Sequence, residues 1–165
     1  MTAYALDNYI LNAESAFERQ DWLEGESYLL EALVEEPCFG KAHNHLGWLY
    51  LNHLRDLEKA ERHLNLAMKY SPKYSAVYIH MTHFLFEAKR FDEQLKLLEM
   101  AKTIPGIDFA FIYNEFGRIE EVRGKSRKAV RHYKAALRCS MSDHEMQIIK
   151  SNLRRCRAKR LIIFW

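Results

Sequence analysis

The chain has 165 residues, 48% hydrophobic and 28% charged, with a net charge of +3, which is the balance of an ordinary globular protein with a sizeable core. Its longest apolar run, Leu161 to Trp165, falls far short of the roughly 20 residues a membrane-spanning helix needs. Only 3 prolines and 6 glycines leave little material for the turns of a many-stranded sheet, so helices are expected throughout.

In chain order, the apolar spacing predicts nine helices. The first runs over 7–20. The second, 22–36, carries Gly25, Leu29 and Ala32 at steps of four and three, which keeps them on one face, and Pro37 ends it. The third, 40–53, sets out large, large, small and large side chains as His43, Leu46, Gly47 and Tyr50. The fourth, 56–70, repeats the small, large, small pattern as Ala60, Leu64 and Ala67, and Pro72 follows. One extra residue lies between Tyr50 and Ala60 compared with the other units. Helices over 74–88 and 91–104 come next, the latter with Gln94, Leu98 and Ala101. The seventh, 107–123, shows Tyr113, Phe116 and Gly117, and the eighth, 125–139, shows Ala129, Tyr133 and Ala136. The last, 143–160, breaks the alternation. Its stripe Met146, Ile149, Leu153 and Cys156 suits a cap over the end of the fourth unit, with Ser142 or Asp143 as N-cap.

The alanines Ala32, Ala67, Ala101 and Ala136 recur at steps of 35, 34 and 35 residues. With the small and large positions around them, the chain resembles the tetratricopeptide-repeat family, whose unit is ~34 residues long. The resemblance implies an all-α, right-handed α-solenoid of antiparallel helix hairpins. One domain over 1–165 is expected, with repeats at about 6–38, 40–73, 74–106 and 107–141 and a capping helix over 143–160. Asn12, Gln94 and Glu120 depart from the pattern, standing where the family has apolar or small residues.

In that family the first helices of successive units line a concave surface. The resemblance assigns to it Ile10, Glu14 and Phe17; Trp48, Leu51 and Asn52; Ile79, His83 and Phe86; and Phe111, Asn114, Arg118 and Val122. A concentration of large apolar side chains on one surface commonly marks a partner site. The expected ligand is a protein or peptide segment with an apolar face, extended or helical. The alternative is a solenoid so tightly curled that these residues bury against its own terminal helices. Family members that grip the acidic tail of chaperones use Lys, Arg and Asn at set positions. Here Ile10, Glu14, His45, Ala76 and His80 stand there, so an acidic tail is not expected. The stretch HLGWLYL also resembles, more loosely, bacterial repeat proteins that assist pilus assembly or chaperone secreted subunits.

Charge is unevenly spread. Residues 123–160 hold 13 Lys or Arg against two acids, for +11, and the rest of the chain comes to −8. The basic patch is expected around Arg131, Lys150, Arg154 and Arg157. It stands open to three readings: solvation of the cap together with pairing to the acidic body, nucleic-acid binding, or a membrane surface or another protein. The first is favoured over nucleic acid, since no recognised nucleic-acid motif accompanies the charge. A homo-oligomer, with the groove filled by a second copy, is a third arrangement to test.

Catalysis is not expected. The chain has no glycine-rich phosphate loop and no nucleophile elbow, and adjacent carboxylates such as Glu35 and Glu36 diverge on a helix. No cofactor and no metal are expected, because neither His43 with His45 nor His80 with His83 is joined by a Cys or acid at ligand spacing. Three scattered cysteines and an N-terminus without signal-peptide character suit a cytoplasmic setting.

Overall fold

The computed structural model describes residues 3–162, with side chains over 5–159. The apolar end of the chain, Leu161 to Trp165, expected from its character to dock into a neighbouring groove or a twofold interface, lies outside those side chains. Among the described residues there are nine α-helices, one π-helical turn and no strand. The chain divides into two compact units, Met1–Ala88 and Lys89–Trp165, each taken by itself below.

The first unit holds α1 (Ala3–Glu18), α2 (Trp22–Glu35), α3 (Gly40–Leu49), α4 (Leu57–Tyr70) and α5 (Ser75–Glu87). Carboxylate caps start α2 and α4: Asp21 accepts from the Glu24 N–H at 3.0 Å and Asp56 from the Lys59 N–H at 2.9 Å. Each such cap is worth about 1 kcal/mol. The small positions read from the sequence are points of close approach between paired helices. A Cβ on Gly25 would lie 2.2 Å from the Phe17 ring, and one on Gly47 would lie 2.6 Å from Leu64 Cγ. Leu29, Ala32, Leu64 and Ala67 are fully buried around these contacts.

Between α3 and α4 the chain makes a π turn, Tyr50–Leu54. The extra residue seen in the second repeat is taken up here, by widening the helix rather than lengthening the loop. The Asn52 side chain donates to the Trp48 carbonyl at 2.9 Å, satisfying backbone within the widened turn. Arg55, in the left-handed region at φ 57°, ends the turn, and the Asp56 N–H donates to the Tyr50 carbonyl at 3.0 Å.

The second unit holds α6 (Phe91–Ala101), α7 (Phe109–Val122), α8 (Ser126–Cys139) and α9 (Asp143–Ile162). Helices α7 and α8 meet at Gly117, where a Cβ would lie 2.5 Å from the Tyr133 ring. Helix α9 caps this pair as its apolar stripe predicts. Ile149, Leu153 and Cys156 form one core cluster with Ala110, Ala129, Tyr133 and Ala136, and Ser142 stands at its N-cap position, 3.5 Å from the Glu145 N–H.

A buried charge network pins the same helix. Glu121 takes a hydrogen bond from Tyr133 at 2.7 Å, two from Arg155 at 2.8 and 2.9 Å, and one from Lys159 at 2.9 Å. Burial alone would push this carboxyl up. The bonds from Arg155, Tyr133 and Lys159 outweigh it and hold the group down at about 2.

Tyr133 is fully buried and tied at both ring and hydroxyl, so it cannot yield to a methyl group at position 117. Gly117→Ala is expected to lower unfolding free energy by about 1–3 kcal/mol, the usual range for overpacking. Urea unfolding checks this, and an unchanged midpoint would contradict it.

Candidate partner-binding cleft

Four rings meet in the first unit. Phe17 stands at the end of α1, Trp22 at the start of α2, Trp48 in α3 and His53 in the π turn. Phe17 lies 5.8 Å from Trp22 and 5.4 Å from Trp48, and the two tryptophans are 6.4 Å apart, edge to face. His53 stacks on Trp22 at 3.6 Å with its plane only 17° off, and touches Trp48 at 4.8 Å. Gly25 lets Phe17 lie against α2, and the π turn brings His53 to Trp22. Aromatic pairs of this kind stabilise by about 0.5–1.5 kcal/mol beyond their buried area.

Phe17, Trp22 and Trp48 form the wall of an open cleft of about 500 Å³, completed by Glu14, Glu18, His45 and His80. Burial lowers the His45 imidazole below its usual range; Glu14, 3.8 Å away, pulls it back up and Lys41 lowers it further. His80 is held at about 4, first by burial and then by His45 and His83, while its Nδ1 bonds Asn44 Oδ1 at 3.0 Å. Both rings are neutral at neutral pH. Glu18 has no ion-pair partner among the described residues, and Glu14 faces only the neutral His45. The cleft therefore joins aromatic faces to two uncompensated carboxylates.

Of the residues expected to line a groove, Glu14, Phe17 and Trp48 come together here. Ile79, His83 and Phe86 are half-buried on α5. Ile10 and Leu51 are core residues instead, at 8% and 2% exposure. Ile10 lies three residues before the fully buried Ala13, on the packed face of α1. Leu51 lies four residues after the buried Gly47 and seven after the buried Asn44, which puts it on a packed face of the helix. Asn52 is exposed and bonded to the Trp48 carbonyl.

In the second unit Phe111 is half-buried and Val122 is 57% exposed. Asn114 accepts a 2.9 Å bond from Asn152 of α9, and Arg118 grips Glu115 at 2.9 and 3.0 Å, so neither polar group stands open for a partner. Trp22 and His53 were not among the expected residues. The extra residue before Ala60 marked where the backbone departs from the repeat, without showing which ring it would deliver. Arg131, Lys150, Arg154 and Arg157 are all exposed. Among the described residues no group of three or more His, Cys, Asp or Glu is placed to hold a metal ion, and no helix is long and apolar enough to cross a membrane.

No protein-family model matches the sequence, and no curated protein matches it. Solved structures match the fold. One, from the functional characterisation of Pseudomonas aeruginosa PilF, is 18% identical over 95% of this chain and 69% of that one, with a TM-score of 0.83. PilW, a widely conserved type IV pilus biogenesis factor, is 17% identical over 82% of this chain, with a TM-score of 0.75. A tetratricopeptide repeat protein from Parabacteroides merdae is 12% identical over 95% of this chain, with a TM-score of 0.72. The chain spans 62% of the length of each of the last two. The fold is that of the tetratricopeptide-repeat proteins: all-α, built from helical hairpins in series.

His80 makes stability depend on pH. Its folded value of about 4 lies below the ordinary 6.5, so between the two the unfolded chain binds the extra proton. The contribution is complete above pH 6.5 and is lost as pH falls toward 4. His80→Gln, which keeps a donor for Asn44, should flatten the fall in unfolding free energy over that window. An unchanged slope in denaturant titrations at pH 7, 6, 5 and 4 would contradict the placement of this ring.

Proposed function

We propose that this protein is an interaction module that holds a segment of another protein against the aromatic cleft of its first unit. The observation that carries the reading is the cleft itself: Phe17, Trp22 and Trp48 at one open wall, with Glu14 and Glu18 beside them. Aromatic side chains dominate binding energy where they are desolvated by a partner. The uncompensated carboxylates favour a segment that sets a Lys or Arg next to an apolar anchor, the cation pairing with Glu14 or Glu18 and the anchor lying against the aromatic wall. An acidic chaperone-type tail does not fit, since Glu14, His45 and His80 stand where a carboxylate clamp needs cations. Solved structures of this fold include a pilus biogenesis factor, which supports an adaptor role in assembly rather than catalysis. The proposed setting is cytoplasmic, in keeping with three free cysteines.

Selection of random dodecapeptides on the immobilised protein tests the reading. Selected peptides are expected to pair an apolar residue with Lys or Arg and to quench tryptophan fluorescence on binding. Trp48→Ala should weaken them at least tenfold, about 1.4 kcal/mol, while unfolding stays cooperative. Peptides that bind Trp48→Ala and the parent equally would place the binding elsewhere.

We also propose that residues 1–165 act as one domain, since a single solved structure matches 95% of the chain. In a Trp165→Phe variant tryptophan fluorescence reports the first unit alone, through Trp22 and Trp48, and thermal unfolding followed by it should coincide with that followed by far-UV circular dichroism. Two separated transitions would overturn it.

A further inference from the structure

The basic residues of the C-terminal helices fall into two groups. Arg155 and Lys159 are consumed by Glu121. Seven others find no such partner among the described residues. On α8, Arg127, Arg131, Lys134 and Arg138 follow steps of four, three and four, which places them on one face, and all are exposed. On α9, Lys150, Arg154 and Arg157 repeat steps of four and three, again exposed. None of these seven forms an ion pair with an acid among the described residues. By sequence the second unit carries 18 Lys or Arg against nine acids, for +9, while the first carries seven against 13, for −6. These cations stand in solvent without an acid beside them among the described residues, so their charge is open to an anion from outside.

The shape narrows the anion. The α8 stripe runs for roughly 16 Å, from the 1.5 Å rise per residue, enough to follow several phosphates. Beside it lies a cleft of about 490 Å³ lined by Lys128, Arg131, His132, Arg138, Ala135 and the buried carboxyl of Glu120. His132 stands on Phe116 with centroids 5.3 Å apart, giving a half-buried ring at the edge of the cationic surface. A lipid surface fits less well, because an interfacial helix needs an apolar face to bury in the bilayer. The apolar face of α8 is spent: Ala129, Tyr133 and Ala136 are in the core cluster, with Val130 and Leu137 packed against it.

We propose that the cationic face of α8, together with the exposed Lys150, Arg154 and Arg157 of α9, binds single-stranded nucleic acid through its phosphates. The binding is independent of base sequence and separate from the aromatic cleft of the first unit.

The test is fluorescence anisotropy of the full chain with a labelled 20-nucleotide RNA of mixed sequence, from 50 to 200 mM salt. Affinity should fall steeply with salt, log K dropping by about 0.7 per log unit of salt for each phosphate neutralised. Arg131→Glu with Arg138→Glu should weaken binding at least tenfold and reduce that slope. Lys150→Glu with Arg154→Glu should weaken it as well, while Trp48→Ala should leave it unchanged. All four charge-reversed side chains are exposed, and unchanged far-UV circular dichroism confirms that the variants fold. Absence of RNA binding at 50 mM salt would overturn the proposal. So would binding that survives both charge reversals, or capture by phosphatidylserine vesicles without any binding of RNA.

Discussion

Three hairpins of this molecule depend on helices that approach more closely than a Cβ allows. At Gly25, Gly47 and Gly117 an added methyl group would lie 2.2, 2.6 and 2.5 Å from Phe17, Leu64 and Tyr133 respectively. Each contact joins the two helices of one hairpin, and each sets what lies beyond it. Phe17 laid against α2 becomes a wall of the aromatic cleft. Tyr133 laid against α7 brings its hydroxyl to Glu121, and Glu121 in turn gathers Arg155 and Lys159 of α9. Burial of a side chain such as Leu64 stabilises by about 1.5–3 kcal/mol, yet the glycines decide where that burial can occur.

The fold was readable from the sequence because it is written in small residues at fixed spacing. Gly47 and Gly117 hold one small position on first helices, Gly25, Ala60 and Ala129 hold another on second helices, and Ala32, Ala67, Ala101 and Ala136, at steps of 35, 34 and 35 residues, define the repeat. The capping helix was readable for a similar reason, since Ile149, Leu153 and Cys156 hold one face and have only one core to enter. The candidate site was readable only in part. Phe17 and Trp48 follow from their places on first helices. Trp22 follows the same spacing as Gly25, Leu29 and Ala32, on a second helix to which the resemblance assigns no groove position, and His53 belongs to an irregular turn that periodicity gives no face. Leu51 shows the converse: the resemblance assigns it to the inner wall, while its spacing from the buried Asn44 and Gly47 puts it in the core. Inserted residues reveal where a backbone departs from its repeat; the direction in which side chains then point depends on packing that no spacing rule contains.

The basic residues illustrate a second limit. Composition shows their excess and the heptad-like steps show their alignment, but only geometry separates the pair neutralised by Glu121 from those that remain open. The burial of Glu121 is what makes this division sharp. A carboxylate at 4% side-chain exposure must have cations beside it, so Arg155 and Lys159 are fixed as structural while Arg131, Lys150, Arg154 and Arg157 stay available. The chain thus carries two surfaces of opposite character, an acidic aromatic cleft in one unit and a cationic face in the other.

The extra residue of the second repeat, by widening the end of α3, seats His53 on Trp22 and against Trp48 and so holds the two indoles together. Deletion of Asn52, which returns that turn to α-helical length, tests it most directly, read by the Trp22–Trp48 exciton couplet in circular dichroism. The account predicts a folded, cooperatively unfolding protein whose couplet is lost because the ring cluster has come apart. A couplet of undiminished strength in the deletion variant would show that the rings assemble without the π turn, and would contradict it.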